Sequence, residues 1–246
     1  GAGSAATGIA DLTVPALVAE GLSEAEARQR LWFVDINGLV VKQRNDLAVH
    51  NLPYAHDHPP MDFINAIRAV QPDILVGATG THGAFTEEAI RLMAELKERP
   101  GVFALSNPTS QAECTAQEAY LWSGGRAIFA SGSPFAPVTI DGRTFRPGQG
   151  NNVYIFPGVG AGALFCRARR ISDEMFLASA KALAAEVSES DLAAGKIYPP
   201  LTDIRNVSLN IATAVAETAY DQGLATVERP DDIRQAIADT IYDPRY

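Results

Sequence analysis

The residues Gly1-x-Gly3-x-x-Ala6 form the Gly/Ala version of a turn that presents backbone amides to a pyrophosphate. Gly1 permits a tight turn, and Gly3 has no side chain to hold phosphates off the backbone. Ala6 lets the following helix pack close to a strand, and the positive end of that helix attracts anions. Gly1, Ala2, Gly3, Ser4 and Ala5 are therefore candidate phosphate contacts. Asp35 closes the apolar run Leu31-Trp32-Phe33-Val34 and is placed to accept hydrogen bonds from ribose hydroxyls. Beside Asn37-Gly38 it also reads as a turn residue.

Later loops carry small and amide residues. Gly77-Ala78-Thr79-Gly80-Thr81 lets backbone lie flat against a ligand, which nominates Ala78 and Thr79. Asn107 stands just after the apolar run Val102 to Leu105 and is restricted by Pro108. Ser131-Gly132-Ser133-Pro134-Phe135 is a third compact polar loop. In Gly148-Gln149-Gly150-Asn151-Asn152 one asparagine can cap a helix, leaving the other amide to hold a carboxylate or carboxamide. Amide side chains orient a ligand without adding charge.

These loops need a scaffold, and the pattern supplies an α/β one. Helical spacing runs from Ala5 to about Glu20, with the expected buried stripe at Ile9, Leu12, Thr13, Ala16 and Leu17. Ser23-x-x-Glu26 is a capping box that opens a second helix. Leu31 to Val34 reads as a buried parallel strand. Helices are expected over 61–70, 86–97 and 115–122, and strands over 73–76, 102–105 and 127–130. Alternation of this kind implies right-handed crossovers and a mostly parallel, Rossmann-like sheet with flanking helices. The last third is helical, over 152–166, 172–187, 202–222 and 230–241. The expectation is one domain, 1–246, with the late helices closing on the sheet. The strand that should precede Gly1 is not in the chain, so a fragment is expected.

Composition narrows the function. With 246 residues, 47% of them hydrophobic, the chain can bury a large core. A net charge of −9 argues against a nucleic-acid partner. No run of about 18 apolar residues occurs, so no membrane-spanning helix is predicted. Cys114 and Cys166 are read as packing residues. His56-Asp57-His58 has the look of a metal cluster, but flanking prolines and the oxygen preference of Mg²⁺ argue against one. His50 is read as solvated, and His82 is left without a role.

The stretches Ala104-Leu105-Ser106-Asn107-Pro108-Thr109, Ala130 to Phe135 and Pro147 to Gly158 closely resemble malic enzymes, in the same order. Gly1 to Ala5 and Ile197-Tyr198-Pro199-Pro200-Leu201 resemble that family too. The resemblance implies oxidation and decarboxylation of L-malate to pyruvate and carbon dioxide, with NAD or NADP and with Mg²⁺ or Mn²⁺. It implies that Asn107 and Asn152 meet malate and the nicotinamide, with Asn151 in support, and that the glycine turn and Asp35 hold the adenosine diphosphate part. The family's acid–base tyrosine and lysine and its metal-ligating carboxylates lie in a preceding domain. No catalytic or metal-ligating residue is therefore nominated here, and the fragment alone is expected to be inactive. The enzyme's own N-terminal domain and further copies, as a homodimer or homotetramer, are the expected partners. Cytoplasm is the expected location, with the mitochondrial matrix as the alternative.

NAD is expected rather than NADP, because no Lys or Arg occurs from Asn45 through Asn65 to meet a 2′-phosphate; Lys42 and Arg44 are the cations that could fold back. The competing readings are a non-catalytic NAD-binding or sensing module and another hydroxy-acid dehydrogenase. The latter usually carries a catalytic histidine or arginine where these loops carry asparagines.

Overall fold

The glycine turn leads directly into α1 (Ser4–Ala19) of the computed structural model, which describes residues 1–241. The buried face of α1 is Ala6, Thr7, Ala10 and Val14, packed with Ala27, Phe33, Val40 and Tyr54. The stripe expected through Ile9 is not the buried one, since Ile9 is 40% exposed. Apolar residues surround this helix, so periodicity cannot choose a face. The neighbours Ala27, Phe33, Val40 and Tyr54 select the face. In α2 (Glu24–Gln29) the capping box forms: Ser23 Oγ accepts from the Glu26 amide, and Glu26 accepts from the Ser23 amide at 2.9 Å.

The expected parallel strand over 31–34 is corrected. Only β1 (Val34–Asp35) is extended, and it pairs antiparallel with β2 (Gly38–Leu39). The Asn37-Gly38 turn, with Gly38 at φ +100°, folds the chain back on itself. The Val40 amide then takes the Phe33 carbonyl at 2.9 Å.

The expected alternation follows. Asp62 caps α3 (Phe63–Val70), and β3 (Ile74–Gly77) comes next. Thr86 caps α4 (Glu87–Leu96) before β4 (Gly101–Ala104). Thr115 caps α5 (Ala116–Trp122) before β5 (Ile128–Ser131). A hairpin, β6 (Val138–Ile140) with β7 (Arg143–Phe145), turns at Asp141 and Gly142, both at positive φ. The short β8 (Gly148–Gln149) then joins β5 in parallel. The sheet is parallel throughout, in the order β3-β4-β5-β8. Its core joins Leu75, Val102 and Phe129 to Ile90 and Met93 of α4 and Tyr120 of α5. All three strands β3, β4 and β5 therefore end at the same edge, where open α/β sheets bind ligands.

The chain gathers into two compact units, 1–150 and 151–246. The second unit, described to residue 241, is helical. The helix expected over 152–166 is divided into a 3-10 turn, Asn152–Tyr154, and α6 (Phe156–Phe165). Pro157 has no amide to continue a helix but suits a first turn, so α6 starts anew there. It is followed by α7 (Asp173–Ala185), α8 (Glu189–Ala193), α9 (Ile204–Asp221) and α10 (Ile233–Ala238). Helix α9 carries the core through Val207, Ile211, Ala212, Val215, Ala216 and Ala219. Helix α6 meets it across glycines: a Cβ on Gly162 would sit 2.4 Å from the Ala212 carbonyl oxygen.

Candidate functional site

The two glycines of the opening turn have different surroundings. A Cβ on Gly1 would lie 2.6 Å from the Ala78 carbonyl oxygen, so Gly1 lets the turn press against the loop after β3. A Cβ on Gly3 would meet nothing within 4 Å. Gly3 is the N-cap of α1 and leaves the first-turn amides without a side-chain acceptor; no acid stands in that turn. Free donors, the positive end of a 16-residue helix and clear space above it suit a pyrophosphate. Ala78 thus adjoins the turn.

Asp35 is not a bare acid. Arg44 folds back and forks onto it, Nη1 to Oδ1 and Nη2 to Oδ2, each at 2.8 Å. The same guanidinium reaches Asp46 through Nε at 2.9 Å and Nη2 at 2.7 Å. The Asn37 amide adds a bond to Asp35 Oδ1 at 2.8 Å. The bonds Arg44 donates to Asp46 and then to Asp35 raise its pKa, and Arg44 holds the Asp46 carboxyl well below the usual carboxylate range. Of the two cations named as able to fold back, Arg44 does so: its long side chain bridges nine residues across the β1–β2 hairpin.

A buried network joins the loops after β3 and β4. Glu113 is 0% exposed. Its Oε1 accepts from the Thr79 amide and hydroxyl, both at 2.8 Å, and from Ser106 Oγ at 2.5 Å. Its Oε2 accepts from the Ser106 amide at 3.3 Å. Burial opposes its charge, but the bonds from Ser106 and Thr79 prevail and hold its pKa below the ordinary value. Thr79 is therefore committed to this network through both its amide and its hydroxyl. The sequence reading missed Glu113 and Ser106; the available signal was one acid among the small residues Ala112, Cys114 and Ala116.

Asn107 is exposed at the mouth of that loop. Its Oδ1 accepts from Ser133 Oγ at 2.6 Å, which ties the loop after β4 to the one after β5. Gly132 makes this possible: a Cβ there would stand 2.3 Å from the Leu105 carbonyl oxygen and 2.7 Å from Asn107 Nδ2. The Asn107 amide is thus aimed by Ser133, leaving Nδ2 with only a long bond to Leu105 O at 3.5 Å.

The other asparagines open the second unit. Asn151 takes the bland role, accepting from the Val153 amide at 2.9 Å as a cap. Asn152 is exposed, and its side chain has no hydrogen-bond partner among the described residues. Tyr154, which had no role in the sequence reading, is 4% exposed and donates to the Pro199 carbonyl at 2.7 Å. It stacks on Tyr198 and so anchors the asparagine turn within its own unit.

The histidines have structural surroundings. His56 lies flat on Trp32 at 3.6 Å and bonds the Leu31 carbonyl, and His50 bonds the Ala2 carbonyl at 3.1 Å. Among the described residues no three His, Cys, Asp or Glu side chains gather to hold a metal ion. Both cysteines are buried.

The family model described as the malic enzyme NAD-binding domain matches residues 1–220. The NADP-dependent malic enzyme of Rattus norvegicus is 48% identical over 249 residues, covering 100% of this chain and 44% of that protein. The mitochondrial NADP-dependent malic enzyme of Mus musculus is 50% identical over 249 residues, covering 100% of this chain and 41% of its own length. The chain thus spans less than half the length of these relatives. Among solved structures, Entamoeba histolytica malic enzyme matches with a TM-score of 0.69 and 26% identity, over 92% of this chain and 43% of its own. Malic enzyme from Pyrococcus horikoshii gives a TM-score of 0.53 and 30% identity, over 69% of this chain and 34% of its own. With its glycine turn, its parallel sheet and a match over residues 1–220, the chain belongs to the malic enzyme family, to which it contributes the NAD-binding domain.

Proposed function

We propose that the protein to which this chain belongs oxidises and decarboxylates L-malate to pyruvate and carbon dioxide with NADP. The chain holds the dinucleotide and offers amides to the substrate. The observation that carries this reading is the helix end at Gly3, open above and free of acids, against the Ala78 loop. When bound, the dinucleotide supplies the hydride acceptor and a divalent cation supplies charge stabilisation at the substrate's oxygens. The chain's own residues bind and orient. Backbone amides of α1 hold the pyrophosphate, and Asn107, aimed by Ser133, meets the nicotinamide end; in the second unit Asn152, with Asn151 in support, is the amide offered to substrate. The cation's ligands belong, in this reading, to the part of the protein outside this chain.

The choice of NADP departs from the sequence expectation for a physical reason. Both Asp35 oxygens already accept from Arg44, so the acid is poorly presented to a free ribose hydroxyl pair. A guanidinium is the kind of group that meets a 2′-phosphate. Here its donors are held by Asp35, Asp46 and the Gly38 carbonyl, so in this reading Arg44 exchanges carboxylate bonds for phosphate ones. The relatives' names point the same way.

The test uses the full-length protein with L-malate and Mn²⁺. Reduced nucleotide and pyruvate should appear together, and NADPH should bind more tightly than NADH. Arg44→Ala should cost NADPH roughly ten- to a hundredfold in affinity, the worth of a charge-assisted bond, and NADH little. Absence of pyruvate refutes the activity; binding without turnover supports the sensing module instead. Tighter NADH binding refutes the nucleotide assignment.

A further inference from the structure

Glu113 is the one charged residue among the buried residues described, and the donors that bond its carboxylate are neutral amides and hydroxyls. A buried carboxylate is costly unless donors fully satisfy it. Here the donors come from two separate loops. Thr79 lies beyond the end of β3 and Ser106 beyond the end of β4. Ser106 Oγ, while donating to Glu113, also accepts from the Thr79 amide at 3.1 Å and the Gly80 amide at 2.9 Å. The carboxylate lies so close under β3 that a Cβ on Gly77 would overlap its Cδ at 2.4 Å. The Glu113 carbonyl accepts from the Phe85 amide at 3.0 Å, which fixes the anchor itself.

A neutral amide cannot replace this group. A glutamine oxygen could keep the three donors on Oε1, but its NH₂ would face the Ser106 amide, donor to donor. A charge-assisted acceptor is also the stronger and stiffer one. We infer that Glu113 is a positioning residue: it locks the loops 77–81 and 106–107 into one bed, so that Ala78 and the Asn107 amide meet the dinucleotide in a fixed geometry. The inference rests on the dinucleotide-binding reading above. It adds a residue that touches neither substrate nor cofactor yet sets the rate.

The experiment uses the full-length protein, with Glu113→Gln, Gly77→Ala as a second way to displace the carboxylate, and Ile90→Ala as a core-cavity control. Ile90 is 0% exposed within the sheet's core and makes no hydrogen bond to Glu113, Thr79 or Ser106 through its side chain. Four quantities are measured: NADPH affinity, kcat and KM separately, the thermal midpoint, and amide exchange at Thr79, Gly80 and Ser106. Glu113→Gln and Gly77→Ala should each lower kcat by about a hundredfold, as a misplacement near 1 Å would, and speed exchange at the three amides. Ile90→Ala should lower the thermal midpoint and leave NADPH affinity, kcat and those three amides unchanged. Wild-type exchange and kcat in Glu113→Gln overturn the inference, as does an equal loss of kcat in Ile90→Ala. Exchange reads loop fixing without turnover. If the wild-type protein bound no dinucleotide, the functional reading would fail while exchange still decided the role of Glu113 in the loops.

Discussion

Replacing Gly3 by aspartate should make the protein more stable and its dinucleotide binding much worse. Gly3 has φ −82° and ψ 179°, an extended conformation open to any residue, and a side chain there meets nothing within 4 Å. An N-cap aspartate accepts from the first-turn amides, worth a few tenths of a kcal/mol over glycine. Its charge at the positive helix end adds about 0.3–1 kcal/mol. Folding should therefore gain roughly 0.5–1 kcal/mol by these two effects. Binding moves the other way. The aspartate takes a donor the pyrophosphate needs, a loss of about 1.5–3 kcal/mol. It also sets a like charge about 4 Å from the phosphates, which costs roughly 1–4 kcal/mol between the dielectric limits of water and protein surface. Together these exceed about 2.5 kcal/mol, or close to a hundredfold in Kd. Thermal melting and NADPH titration of full-length Gly3→Asp measure both sides. Unchanged affinity would refute the placement of the phosphates, however stable the variant proved.

Two further outcomes follow from the same geometry. Gly132→Ala places a methyl 2.3 Å from the Leu105 carbonyl oxygen and against the Asn107 amide, so it should cost about 1–3 kcal/mol of stability and lower kcat by roughly a hundredfold; steady-state kinetics and a thermal melt read both. The depressed pKa of Glu113 gives stability that is fully present above its ordinary value of 4.5 and is lost as pH falls through the lower folded value. The stability difference between wild type and Glu113→Gln should therefore hold from neutral pH to about 5 and shrink below 4.5, which denaturant titrations across that range would check.

Local chemistry was legible in the sequence, and tertiary chemistry was not. The cap at Ser23 could be read because the donor and acceptor lie three residues apart. The strands β3, β4 and β5 could be read because buried parallel strands are continuous apolar runs. The face of α1 could not, since small apolar residues ring that helix and only its neighbours choose among them. The β1–β2 hairpin was mistaken for a parallel strand, although Asn37-Gly38 already carried the signal for a turn. The β6–β7 hairpin went unread for the same reason at Asp141-Gly142. In the site, the glycine turn and Asn107 stood out by residue type and position. Arg44 could be named as a cation able to fold back, but its fork onto Asp35, like Ser133 on Asn107 and Glu113 beneath two loops, depends on chain reversals that no spacing encodes.

A crystal structure of the full-length protein with NADP would examine the central claim most directly. The pyrophosphate oxygens should lie within hydrogen-bond distance of the amides at Gly3 to Ala5, and the 2′-phosphate should lie against Arg44. Phosphates resting anywhere other than over the Gly1–Ser4 turn would contradict the account.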